Sequence, residues 1–228
     1  MEKCRTTHHE TTGLKMKKLP DAIIYDWDNT LIDSWQSVLQ SVNYIFAHYG
    51  KPQWTLEDMM HKSHRSAKDM MPEEFGEQWE EAYHLFYAHV GENHCKNLMP
   101  LPFSHDVLVF FQTHQIPQYV ISNKKGTLLR AEVDHLGWGH FFNRVIGSAD
   151  YIHDKPHPDI VAFTLDGKSF EDIWFVGDTP VDWECAKTSN CYAVSIVDRV
   201  YDSLTKADII FPSMETFYNQ LIDLNKKL

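Results

Sequence analysis

The sequence predicts an α/β protein, a parallel β-sheet flanked by helices, with an all-helical segment inserted after its first strand. Three observations carry this. Short apolar runs at 22–25, 118–121 and 173–176 stop abruptly on Asp26, Ser122 and Gly177-Asp178, as buried strands do. After residue 100 these runs alternate with stretches whose apolar period is three and four, the pattern of helices crossing over a parallel sheet. Between 35 and 100 only the helical period occurs.

Composition bounds the function. The 228 residues are 43% hydrophobic and 13% aromatic, ample for a packed core. A formal net charge of −11 argues against a nucleic-acid partner, which a broad basic surface would serve. No stretch approaches the roughly 20 apolar residues of a membrane span. Lys3 and Arg5 are followed by no apolar segment, so no signal peptide is expected. Cys4, Cys95, Cys185 and Cys191 form no Cys-x-x-Cys pair, and a reducing, cytoplasmic setting is the expectation. His8, His9, His61, His64 and His84 complete no zinc ligand set.

Taken in order, residues 1–18 are polar and read as a flexible tail. The sheet core is expected from 19–34 and 101–228, with the helical insert from 35–100. Ala22 to Tyr25 form the first strand. Trp35, Val38, Leu39, Val42, Ile45, Phe46 and Tyr49 line one helix face. Asp33 or Ser34 caps that helix, and Gly50 and Pro52 stop it. Thr55 and Asp58 resemble a capping box opening a short helix. Pro72 is expected to open a longer one, with Phe75, Trp79, Tyr83, Phe86 and Val90 on one face and Gly91 near its end. No strand is expected in this stretch.

Met99 to Pro102 break the pattern, and Ser104 is expected to cap a helix carrying Val107, Leu108 and Phe111. The strand of 118–121 leads to a helix with Leu128, Leu129, Val133 and Leu136, closed by Gly137. Val145 to Gly147 form a brief strand, Pro158 opens a helix, and Ile173 to Val176 form the next strand. Pro180 stands where the first helical turn tolerates it. Strands near 192–197 and 208–211 and a helix over 214–224 close the chain.

In a parallel sheet the carboxyl ends of strands share one edge, where ligands bind beside helix N-termini. Asp26, Ser122 and Asp178 therefore converge, and the stretch Asp154-Lys155-Pro156-His157-Pro158 brings Lys155 to the same edge. Asp28, two residues after Asp26, is expected on the same side. Two such carboxylates need a cation, a Lys or a shared proton, unless they form an acidic turn after a surface strand. With Asp178 and Asp182 they make an oxygen-rich cluster suited to Mg2+, which takes a few carboxylates, waters and a phosphate. Lys155 suits a phosphate and an Asp nucleophile, and Ser122 offers a hydroxyl donor. Phosphoryl transfer requires such positioning and charge neutralisation.

These stretches resemble the motifs of the haloacid dehalogenase-like (HAD) hydrolase superfamily. Asp26-Trp27-Asp28-Asn29-Thr30 is similar to its first motif and Ser122 to its second. Lys155 is similar to its third, and Gly177-Asp178-Thr179-Pro180-Val181-Asp182 to its fourth. Four in order are far more specific than any one. The resemblance implies a Rossmann-like core, and an insert like the small helical cap of the phosphoglycolate phosphatase-like branch. It implies a Mg2+-dependent phosphatase acting on a small phosphorylated metabolite. Asp26 would be the nucleophile and Asp28 the general acid and then base. Ser122, Lys155 and Asn123 would hold the phosphate. Asp26, Asp178 and the main-chain carbonyl of Asp28 would hold Mg2+, with Asp182 in or behind that shell.

Two departures concern the substrate. Asn29 stands where Gly is commonest in these phosphatases. The insert lacks the Gly-rich specificity loop of a phosphoglycolate phosphatase and carries the basic stretch His61 to Lys68 instead. That stretch, with Arg65 the candidate substrate contact, either faces the substrate or is a solvated helix face. Rival readings are a 2-haloacid dehalogenase, against which Asp28 and Asp178 count, a phosphomutase, and a non-catalytic binding protein. The sequence singles out neither the leaving group nor an oligomeric state.

Overall fold

A computed structural model of the chain describes residue 16 and residues 18–62, 67–96, 98–197 and 207–226, without the side chains of 60–62 and 67–69. Most of the expected tail and the candidate Arg65, with the basic stretch around it, therefore lie outside the described residues. Met16 packs against the core, and Lys18 pairs with Asp172.

The first strand, β1, spans Ala22–Tyr25, and a two-residue strand, β2, spans Ile32–Asp33. Four helices follow: α1 (Trp35–His48), α2 (Leu56–Lys62), α3 (Ala67–Phe75) and α4 (Trp79–Asn93). The chain returns through β3 (Met99–Pro100) to α5 (Ser104–Thr113), β4 (Gln118–Lys125), α6 (Gly126–His135) and β5 (Arg144–Ser148). It continues through α7 (Asp159–Leu165), β6 (Ile173–Gly177), α8 (Pro180–Thr188), β7 (Tyr192–Ile196), β8 (Ile209–Phe211) and α9 (Met214–Asn225).

Among the described residues six strands form one sheet in the order β5-β4-β1-β6-β7-β8, every neighbour parallel. β1 is buried on both faces, which is why it reads as an unbroken apolar run. Its alternate residues serve two cores. Ile23 and Tyr25 pack with Val107 and Phe111 of α5, Leu129 and Val133 of α6 and Phe217 of α9. Ala22 and Ile24 pack with Ile160 and Val161 of α7 and Trp183 and Ala186 of α8. From β1 the chain builds outward on one side, then returns to the other through β6. The carboxyl ends of β4, β1 and β6 thus border one crevice, as expected at such a reversal of strand order. The insert has an apolar cluster of its own, built on Val42, Ile45, Phe46, Trp54, Met71, Phe75 and Phe86.

Five local expectations need correction. Met99–Pro100 is a short strand paired antiparallel with Ile32–Asp33, too short to show any alternation. Pro72 lies inside α3 rather than opening a helix. Gly76, at a φ of 53°, starts a 3-10 turn that divides the expected helix in two, while the aromatic spacing continues across the break. Phe103, at a φ of 67°, takes the cap position of α5, and Ser104 is its buried first residue. The strand of 118–121 runs on to Lys125, with an irregular register against β5 after Ile121. The Thr55–Asp58 capping box forms as expected, with Thr55 N donating to Asp58 Oδ2 at 2.9 Å and Asp58 N to Thr55 Oγ1 at 3.1 Å. Among the described residues no helix is long and apolar enough to cross a membrane.

Candidate active site

Asp26 is the residue at which β1 ends, and its N–H still donates to Val176 O at 2.8 Å. Its side chain is buried. Lys155, from the loop between β5 and α7, places Nζ 2.6 Å from Asp26 Oδ1 and 2.6 Å from Asp182 Oδ1. Asn123 fixes that loop from both sides. Its Oδ1 accepts from Lys155 N at 3.0 Å, and its Nδ2 donates to Lys155 O at 3.1 Å.

Asp178 follows β6, and Thr30 Oγ1 donates to its Oδ1 at 3.3 Å. Asp182 sits in the first turn of α8, where Oδ2 accepts from Thr179 N at 3.0 Å and Thr179 Oγ1 at 2.6 Å. Its approach to β6 requires Gly177, because a Cβ there would lie 2.3 Å from Asp182 Cβ.

Asp26, Asp178 and Asp182 each bring a carboxylate oxygen within 4.8 Å of the others, all three buried. Burial pushes the Asp26 carboxyl up to about 7, with Asp182 and Asp28 adding to the rise and Lys155 opposing it. Burial alone would lower Lys155, but Asp182 and Asp26 outweigh it and hold the ammonium above the ordinary lysine range. Among the described residues Lys155 is the cation bonded within this cluster, to Asp26 and Asp182. A hard divalent ion with oxygen ligands fits this set of carboxylate donors.

Asp28 is only half-buried, and its Oδ1 accepts from Lys124 Nζ at 2.7 Å. Asn29 turns the chain at a φ of 58°, a left-handed conformation Asn tolerates better than other side-chain-bearing residues. Its Oδ1 accepts from Ser34 N and Oγ, both at 3.2 Å. Ser122 is buried, its Oγ accepting from Lys124 N at 3.2 Å. Asp26, Asp28, Asn29, Ser122, Lys155 and Asp178 border a cleft of about 240 Å3. Trp35, Val38, Phe86, Tyr87 and His89 of the insert close its other side.

The structure thus brings Asp26, Asp28, Ser122, Asn123, Lys155 and Asp178 to one cleft, with Asp182 bonded behind Lys155. Asn123, expected at the phosphate, also anchors the Lys155 loop. Of the histidines considered as ligands, His8, His9 and His64 lie outside the described residues, as does the side chain of His61, and His84 is exposed on α4. Sequence reasoning missed Lys124 and Glu132. Glu132 interrupts the apolar stripe of Leu129, Val133 and Leu136, and a charge on an apolar helix face was the signal that could have found it.

The haloacid dehalogenase-like hydrolase profile matches residues 23–196. The chain belongs to the haloacid dehalogenase-like hydrolases. This hydrolase is 26% identical over 212 residues to the phosphoglycolate phosphatase of Chromobacterium violaceum, covering 87% of the chain and 95% of the relative. It is 25% identical to that of Aquifex aeolicus, over 72% of the chain and 79% of the relative. In structure it matches a predicted phosphoglycolate phosphatase from Haemophilus somnus 129pt with a TM-score of 0.78. That pair is 20% identical, with 88% of this chain and 97% of the other covered. A haloacid dehalogenase-like family protein from Streptococcus pneumoniae gives a TM-score of 0.75 at 20% identity, with 87% and 96% covered. At these identities the structural likeness establishes the shared fold.

Proposed function

We propose that this hydrolase is a Mg2+-dependent phosphatase that hydrolyses a small phosphate monoester through an aspartyl-phosphate on Asp26. The observation that carries the reading is the Asp26 carboxylate at the end of a central strand, 2.6 Å from Lys155 Nζ and grouped with Asp178 and Asp182. The phosphoglycolate phosphatases among its relatives support a small phosphorylated metabolite as substrate.

Lys155 orients the Asp26 carboxylate and neutralises charge as its oxygen bonds to phosphorus. The bond to the leaving oxygen breaks, and Asp28 gives that oxygen its proton. Asp28, now ionised, takes a proton from water, which attacks phosphorus and breaks the bond to Asp26. Ser122 and neighbouring main-chain N–H groups hold the phosphate oxygens, with Lys155 alongside. Asp26, Asp178 and the main-chain carbonyl of Asp28 would hold Mg2+, with Asp182 at or just behind that shell. The ion would neutralise phosphate charge. Residues 19–34 and 101–228 act as the catalytic core in this reading, and 35–100 as a cap that closes over the cleft and excludes water. Arg65 would contact substrate from that cap.

The test is phosphate release from a panel of alkyl and aryl phosphates, with Mg2+ and with chelator, joined to rapid-quench measurement of enzyme-bound phosphate. Asp28→Asn should lose alkyl ester hydrolysis by a factor of about 10²–10⁴. From an aryl ester, whose leaving group needs no proton, it should still accumulate phosphoenzyme. Asp26→Asn should show neither product nor phosphoenzyme. Labelling of Asp26→Asn, or equal loss of the first, phosphorylating step with both ester types in Asp28→Asn, overturns the assigned roles.

A further inference from the structure

Asp28 has an anchor of its own. Its partner Lys124 donates to Asp28 Oδ1 at 2.7 Å, to Glu132 Oε1 at 2.8 Å and to Glu132 Oε2 at 2.7 Å. These contacts use all three hydrogens of an ammonium. Glu132 is 1% exposed, so its position is set by its partners. Besides Lys124 it accepts from Trp27 Nε1 at 2.6 Å, and its Oε1 lies 2.9 Å from His94 Nδ1.

The contacts close a ring. Trp27 and Asp28 are adjacent in the chain. Trp27 reaches Glu132 directly, and Asp28 reaches it through Lys124. A carboxylate tied to the same buried residue through its own side chain and its neighbour's has little freedom to swing. A buried carboxylate such as Glu132 is costly unless paired, so Glu132 and Lys124 hold each other in place. His94 extends the ring to the segment returning from the insert, just after α4 ends at Asn93.

We infer that Lys124, seated by Glu132, is the positioning residue that aims the Asp28 carboxylate at the leaving oxygen and at the attacking water. The inference rests on the phosphatase reading above, in which Asp28 moves both protons. Among the described residues the Lys124 side chain bonds Asp28 and Glu132, so it reaches the reaction through Asp28. Its loss therefore impairs only the steps that Asp28 serves. Attack by Asp26, anchored separately by Lys155, is spared.

The experiment compares Lys124→Met, Lys124→Arg and Glu132→Gln with wild type by rapid quench and steady-state turnover, with folding checked by circular dichroism. The probes are p-nitrophenyl phosphate and a simple alkyl phosphate. Lys124→Met should lower kcat for the alkyl ester by about 10–100-fold, part of the full worth of general acid help. KM should change by less than about threefold, which is about 0.65 kcal/mol. The first phosphorylation by the aryl ester should stay near wild type while phosphoenzyme accumulates. Lys124→Arg should restore most of the alkyl turnover, and Glu132→Gln should repeat the selective loss without deleting Lys124.

Equal slowing of both esters and of the first phosphorylation, or no change in any of them, overturns the inference while wild type still forms phosphoenzyme. A wild type that forms none overturns the phosphatase reading itself. If Lys124→Met does not fold, the pattern in Glu132→Gln decides.

Discussion

Asp26 Oδ1 and Lys155 Nζ, 129 residues apart in the chain, lie 2.6 Å from each other in a buried setting. Lys155→Met would leave Asp26 and Asp182 buried without their countercharge, a loss that costs about 3–5 kcal/mol in comparable buried pairs. The variant can recover part of this by protonating its carboxyls. Its deficit in urea denaturation should therefore be larger at pH 7 than at pH 5. A deficit independent of pH would contradict the buried ion pair.

Divalent cation binding is readable apart from turnover. A ligand that binds only the native state at 100 times its Kd adds about 2.7 kcal/mol of stability. Mg2+ should raise the melting temperature of the wild type and leave that of Asp178→Ala unchanged. Activity should disappear in chelator. Full turnover in excess chelator would remove the metal from the mechanism.

Asp150 offers a pH test remote from the chemistry. Arg130 donates to its two carboxylate oxygens at 2.5 and 2.9 Å, and Gly147 N donates at 2.8 Å. Partial burial would raise the Asp150 carboxyl, but Arg130 and the Gly147 N–H outweigh it and hold it below the usual value. A depressed carboxylate contributes stability above its unfolded value, lost as pH falls through the folded one. Asp150→Asn should cost roughly 1 kcal/mol at pH 7, because the guanidinium is partly solvated. The gap to wild type should narrow as pH falls below the ordinary Asp value.

Gly147 marks a backbone contact. A Cβ there would meet Gly126 Cα and Lys124 O, each at 2.5 Å. Neither atom can rotate away, so Gly147→Ala must push β5 from the start of α6. We expect a loss of about 1–3 kcal/mol in urea denaturation, the range for overpacked interiors.

Asp26, Ser122 and Asp178 were legible because each ends an apolar run, and a parallel sheet collects such ends at one edge. Lys155 ends no strand; it was expected at the same edge because its stretch leads into the helix opened at Pro158. Asp28 was expected beside Asp26. Both border the cleft, but beyond Tyr25 the chain turns, with Leu31 N and Ile32 N both donating to Trp27 O. Strand alternation no longer governs Asp28 there, and it meets a different lysine. Lys124 could not be read, because its role depends on β4 continuing past Ser122 and on a partner in α6. The break at Gly76 was hidden for the opposite reason: the aromatic spacing persisted while the backbone changed.

The ribbon pairing Ile32 with Pro100 and Asp33 with Met99 has a consequence for assembly of the sheet. Tyr25 and Gln118, 93 positions apart in the chain, meet across β1 and β4. Closing so long a segment at random is entropically expensive, and non-local strand pairing is slow. An insert that first gathers its own apolar cluster delivers the two arms of the ribbon side by side. Only the short stretches from Tyr25 to Ile32 and from Pro100 to Gln118 then remain to be closed. That is about two halvings of loop length, each worth about 0.6 kcal/mol. In that order of assembly the segment that walls the cleft would also be a tether that shortens the search for the β1–β4 pair.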